Sequence, residues 1–141
     1  MKTIVEQLNN GMTVVMQPSD KAPVIAFQVW VGVGSANEQK GEEGLAHVLE
    51  HMLFKGTDKR AVGEITRDVE KAGGQINAWT SYEETVYYIT IADRFWEQGL
   101  EILSDAVFNS SLDPDELSKE LKVILEEIRM GEDSPDHVLV K

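Results

Sequence analysis

The stretch GLAHVLEHMLFKGT, residues 44–57, constrains the fold more than any other part of the chain. Read as a helix, it is apolar around most of its circumference, with Leu45, Val48, Leu49, Met52 and Leu53 on the wide side. Its ionisable residues, Glu43, His47, Glu50 and His51, share one arc of about 100°, broken only by Phe54. A helix of this kind is expected to be buried, and burying imidazole and carboxylate without partners costs several kcal/mol. Something must satisfy that stripe. The chain has three histidines in all, and two of them are here.

A divalent metal would do so. Histidines at i and i+4 point the same way from a helix and can reach one zinc ion together. Glu50 stands beside them, placed to hold a water on the metal rather than the metal itself. Zinc lowers the pKa of such a water to about 7, and a carboxylate can take its proton as it attacks a carbonyl. This is the H-x-x-E-H arrangement of zinc peptidases. Two histidines and a water leave tetrahedral zinc one ligand short. With no cysteine in the sequence, that ligand must be a carboxylate or another histidine.

The rest of the chain reads as one α+β domain without repeats or linkers. At 141 residues it can bury a core without a disulfide or a metal. A net charge of −12 argues against a nucleic-acid surface and against docking on anionic lipid. No apolar run approaches the ~20 residues of a membrane span. The N-terminal MKTIVEQLNNG lacks the apolar centre of a signal peptide, which predicts a cytoplasmic location. TIVEQL, NNG and MTVVMQ predict a β-hairpin, and residues 22–34 a long central strand. Helices are expected over 42–54 and 62–72, the second stopped by Gly73 and Gly74. QINAWTS and ETVYYITIA predict two strands joined near Ser81 and Tyr82. A third helix is expected to start at an Asp93 N-cap and to bury Trp96, Leu100, Leu103 and Val107. The fourth is announced by Asp113 and Pro114 and should end at Gly131. Residues 133–141 read as the approach to a further apolar element.

That fourth helix also carries the strongest candidates for the missing ligand. Its apolar residues, Leu117, Leu121, Ile124, Leu125 and Ile128, form the expected core stripe. Glu126 lies opposite, facing water, whereas Glu120 and Glu127 flank the buried face two turns apart. Geometry leaves both in play, and boundary glutamates are common without any role.

GLAHVLEHMLFKGT, GGQINAWTSYEETVYY and KELKVILEEI together resemble the M16 zinc peptidases, a likeness that runs from the LNNGMTVV hairpin to EEIRMGEDSP. The resemblance implies that His47, His51 and Glu127 bind Zn2+, that Glu50 is the general base, and that Glu120 supports the site. It also implies a two-layer sheet-and-helix domain, and a peptide or unfolded polypeptide substrate added as a strand along 75–80, with Asn77 and Ala78 the contact positions. Family members are built from larger homologous domains paired around a chamber. Residues 1–141 are therefore expected to be the N-terminal part of one metal-binding domain, to need a second homologous half or subunit, and to self-associate without it.

Two other functions compete. A lyase of the S-ribosylhomocysteinase type shares the H-x-x-E-H helix but requires a cysteine ligand, which this chain lacks. A non-catalytic metal-binding or interaction subunit is the other alternative. Such relatives typically lose motif residues, whereas His47, Glu50, His51 and Glu127 are all present.

Overall fold

A computed structural model describes residues 2–132. β1 (Ile4–Gln7) and β2 (Thr13–Met16) form the expected hairpin, with Ile4 opposite Met16. It stands as a two-stranded sheet of its own. β3 (Val24–Val31), β4 (Gln75–Thr80) and β5 (Thr85–Ala92) form a second, antiparallel sheet in the order β3-β5-β4. The strand expected to be central, β3, is thus an edge among the described residues. β5 takes the middle, and the reason is visible in its burial: Thr85, Val86, Tyr87, Ile89 and Ile91 are all buried, whereas β3 alternates exposed and half-buried.

Helices cover one face of this sheet. Ile25, Phe27 and Val29 of β3, Tyr87, Ile89 and Ile91 of β5, and Ile76 and Ala78 of β4 face the core. From the helices come Ile65 and Val69 of α2 (Glu64–Lys71) and Ile102, Leu103 and Ala106 of α3 (Trp96–Asn109), all with at most 1% exposure. The opposite face carries an aromatic cluster in which Trp30 and Trp79 meet edge to face at 5.8 Å and Trp79 lies 5.6 Å from Tyr88.

Three helices depart from expectation. α1 spans Leu45–Met52, starting later than residue 42 because Gly44 takes a left-handed conformation (φ 90) and the Glu38 carboxylate accepts the N–H groups of Gly44 and Ala46, both at 2.8 Å. It is not buried all round, since Leu45 and Leu49 are exposed. Ahead of α3, Asp93–Phe95 form a 3-10 turn, so Asp93 is not the N-cap. Of the expected face, Leu103 is buried and Val107 packs against the core, but Trp96 and Leu100 are exposed, and Gly99, Ile102 and Ala106 complete the contact. α4 (Pro114–Glu132) starts as expected, with Asp113 Oδ1 accepting the N–H groups of Asp115 and Glu116, but passes through Gly131. Its expected core stripe is mostly outside: Leu121, Leu125 and Ile128 are exposed and Ile124 is buried. α4 packs on α1, and the side bearing Glu120 and Ile124 makes that contact. The expected element over 133–141 lies outside the described residues.

Candidate metal centre

α1 packs against both α4 and β4, and its polar stripe faces the groove between them. One turn separates His47 from His51, and their Nε2 atoms stand 3.0 Å apart. From α4, Glu127 brings Oε2 to 3.7 Å from His47 Nε2 and 3.4 Å from His51 Nε2. One ligand atom from each of the three lies within 4.8 Å of the others.

These spacings can be tested against coordination geometry. Three ligands at about 2.0–2.2 Å in a tetrahedral arrangement stand about 3.3–3.6 Å from one another. The observed 3.0, 3.4 and 3.7 Å bracket that range. The donor set, two imidazoles and a carboxylate, is one that zinc accepts with a fourth position open. The residues present therefore fit a zinc ion. The cluster opens to solvent on one side, the His47 and Glu127 side chains being 36% and 47% exposed against 16% for His51.

Glu120 stands behind His51 rather than in the cluster. Its side chain is 9% exposed, and Oε1 lies 2.8 Å from His51 Nδ1. Burial pushes its carboxyl pKa up, but hydrogen bonds from Lys55 and His51 outweigh that and hold it below the usual range. An ionised carboxylate only accepts, so this contact favours the ring tautomer with its proton on Nδ1, the one whose Nε2 lone pair is open to a cation. Glu120 thus fixes the His51 ring from behind and stays outside the three-residue cluster.

Glu50 also lies on α1, turned toward the sheet, where Thr80 Oγ1 donates to its Oε2 at 2.5 Å. Below it, Tyr87 is 2% exposed, and its phenol is pushed up to about 12 by burial first and by the Glu50 charge second. Glu126 is exposed and pairs with Arg129.

Asn77 and Ala78 lie on β4, an edge of the three-stranded sheet among the described residues. Asn77 is exposed, Ala78 half-buried, and Ala78 N–H donates to Asn77 Oδ1 at 2.9 Å. A peptide strand accepting from that N–H would replace this local bond. A shallow groove of about 280 Å³ bordered by Thr66, Glu70 and Asn77 lies toward the Gln75 end of β4, away from Thr80.

Two residues that touch this constellation escaped the sequence reading. Thr80 shares an alternating face with Ile76 and Ala78, and a hydroxyl among apolar neighbours was the available signal. Lys55 falls four residues after His51, where one more helical turn aligns it with the histidines.

Residues 13–141 match the family model described as insulinase, peptidase family M16. The chain is 41% identical over 130 residues to an uncharacterized zinc protease, YmxG, of Bacillus subtilis, covering 92% of this chain and 32% of that protein. It is 37% identical over 139 residues to a probable mitochondrial-processing peptidase subunit beta of Arabidopsis thaliana, covering 99% of this chain and 26% of that one. Among solved structures, a protease from Helicobacter pylori superposes with a TM-score of 0.92 at 36% identity, over 98% of this chain and 34% of that one. The chain spans about a quarter to a third of the length of these relatives.

Proposed function

This chain belongs to the insulinase family, peptidase family M16, and from that premise we propose that residues 1–141 form the N-terminal, metal-binding part of a zinc-dependent endopeptidase. Its substrates are peptides or unfolded polypeptide segments. The observation that carries this is the convergence of His47 and His51 Nε2 with Glu127 Oε2 at 3.0–3.7 Å, with Glu50 on the same helix.

His47, His51 and Glu127 would hold the zinc, which when bound supplies Lewis acidity toward a carbonyl and a water. Glu50 takes the proton of the attacking water and delivers it toward the leaving amine. Glu120 orients His51. The substrate lies along β4 as an added strand, bonding through main-chain groups at Asn77 and Ala78, so recognition depends little on side-chain identity. A second homologous half or subunit would complete the site. That one relative is named as a subunit beta supports this, as does the openness of the cluster.

A second reading, a metal-binding module inactive by itself, is favoured by that same openness. Catalysis needs donors aimed at the developing oxyanion, and losing one such donor costs about 10²–10³-fold. The test assays the zinc-loaded chain on an unstructured peptide, alone and with a candidate C-terminal half, beside Glu50→Gln. Hydrolysis that appears on pairing and falls about 10²–10⁴-fold or more in Glu50→Gln, with zinc retained, supports the peptidase reading. Zinc binding without hydrolysis in either arrangement supports the inactive module. Loss of zinc from a folded Glu50→Gln would make Glu50 a ligand and overturn its role as base.

A further inference from the structure

Lys55 lies three residues past the end of α1, and the proposed chemistry gives it no part. Yet its Nζ lies 2.5 Å from Glu120 Oε2 while Glu120 Oε1 lies 2.8 Å from His51 Nδ1. The carboxylate is therefore held at both oxygens, by the lysine on one side and the histidine on the other. This differs from an ordinary surface ion pair, which is loose and solvated: the Glu120 side chain is 9% exposed and that of Lys55 28%.

The backbone that carries Lys55 is also fixed. Lys55 N–H donates to Met52 O at 3.0 Å, tying it to the end of α1. Gly56 turns the chain at φ 108, a left-handed value that a side chain would strain, and a Cβ there would come within 3.1 Å of Arg60 O. Gly56 O accepts the N–H and hydroxyl of Ser111, at 3.0 and 3.2 Å. Thr57 Oγ1 donates to the buried Asp105 at 2.7 Å, and Arg60 Nη1 donates to the same oxygen at 2.6 Å. The turn is clamped onto α3 and the segment after it, so the lysine stem starts from a set position.

We propose that Lys55 is a positioning residue of the metal centre: its ammonium fixes the Glu120 carboxylate, and Glu120 in turn fixes the His51 ring with Nε2 directed at the ion. The inference rests on the zinc reading above. A carboxylate pinned at one oxygen alone could swing about its terminal torsion, and His51 would lose a fixed acceptor for Nδ1–H. Partners that orient metal-bound histidines in this way typically account for about 10–100-fold in metal affinity.

The test measures zinc affinity by chelator competition at one pH for the wild type, Lys55→Met, Lys55→Arg, Glu120→Gln and the double variant Lys55→Met/Glu120→Gln, with circular dichroism to check the fold. Lys55→Met should bind zinc about 10-fold or more weakly, and Lys55→Arg, which keeps a cation on Glu120, should recover most of that. If Lys55 acts through Glu120, Lys55→Met should add little loss on the Glu120→Gln background, a non-additivity that general structural damage would not produce. In the metal-free chain, nitrogen-15 spectra should show the His51 Nδ1–H tautomer weakened in Lys55→Met. Wild-type affinity in Lys55→Met, a Lys55→Arg as weak as Lys55→Met, or additive losses in the double variant would overturn the proposal. A wild type that binds no zinc would instead overturn the reading on which it rests.

Discussion

Thr80 Oγ1 donates a 2.5 Å hydrogen bond to Glu50 Oε2, so the strand proposed to receive substrate also holds the proposed general base. One carboxylate oxygen is thereby fixed and the other left to meet a proton. Thr80→Val keeps the β-branched shape and removes the donor. In an assembly that hydrolyses peptide it should lower kcat by about 10-fold, the worth of one hydrogen bond to a charged group, with KM and zinc content unchanged. Thr80→Ser should retain activity. Full activity in Thr80→Val would show that Glu50 is positioned by other means.

The second prediction concerns stability. Asp105 is 3% exposed and accepts from Thr57, Arg60 and Asn109. Burial pushes its pKa up, but those three donors outweigh burial and hold it below the usual value. Asp105→Asn should cost about 2–4 kcal/mol at neutral pH, because it removes the charge that pairs with Arg60. The folded pKa lies below the unfolded one, so this stabilisation is fully present above about pH 4 and disappears as pH falls through the folded value. Urea midpoints of wild type and variant should therefore differ most near neutrality and converge in acid. A gap that persists unchanged in acid would remove the carboxylate as its source.

The third concerns association. Leu121, Leu125 and Ile128 of α4 are 42%, 52% and 50% exposed, forming an uncovered apolar stripe beside the face that packs on α1. Exposed stripes of this kind promote association. The isolated chain should self-associate in sedimentation experiments, and Leu125→Glu with Ile128→Glu should shift it toward monomer without lowering its unfolding midpoint. A wild type that is monomeric at high concentration would contradict this.

Much of this molecule was legible in its sequence because local patterns and tertiary packing agree. The hairpin, β4 and β5, α2 and the Asp113 cap all follow from alternation, helical spacing and turn chemistry. His47, Glu50 and His51 were legible because helix geometry alone aligns them. Glu120 and Glu127 were narrowed to a pair by the same geometry, which has no means of saying which oxygen meets which imidazole. The failures have a common cause. Apolar spacing found only half of the packing face of α3 (Leu103 and Val107) and less of that of α4, because the face that packs is chosen by neighbours distant in sequence. On α4 that neighbour is α1, and it takes the side bearing Ile124 and Glu120. Likewise β3 has the composition of a central strand, while pairing places β5 between β3 and β4. Lys55 and Thr80 were hidden because each meets the cluster through one side chain some 30 to 65 positions away, on another element.

The proposed function stands on one zinc ion held jointly by His47, His51 and Glu127. Anomalous diffraction at the zinc edge from crystals of the zinc-loaded chain tests it most directly. One peak per chain is expected, about 2.0–2.2 Å from His47 Nε2, His51 Nε2 and a Glu127 carboxylate oxygen. Glu50 should stand off the ion and Glu120 remain on His51 Nδ1. A peak bound by Glu50 in place of Glu127, or one lying away from both imidazoles, would contradict it.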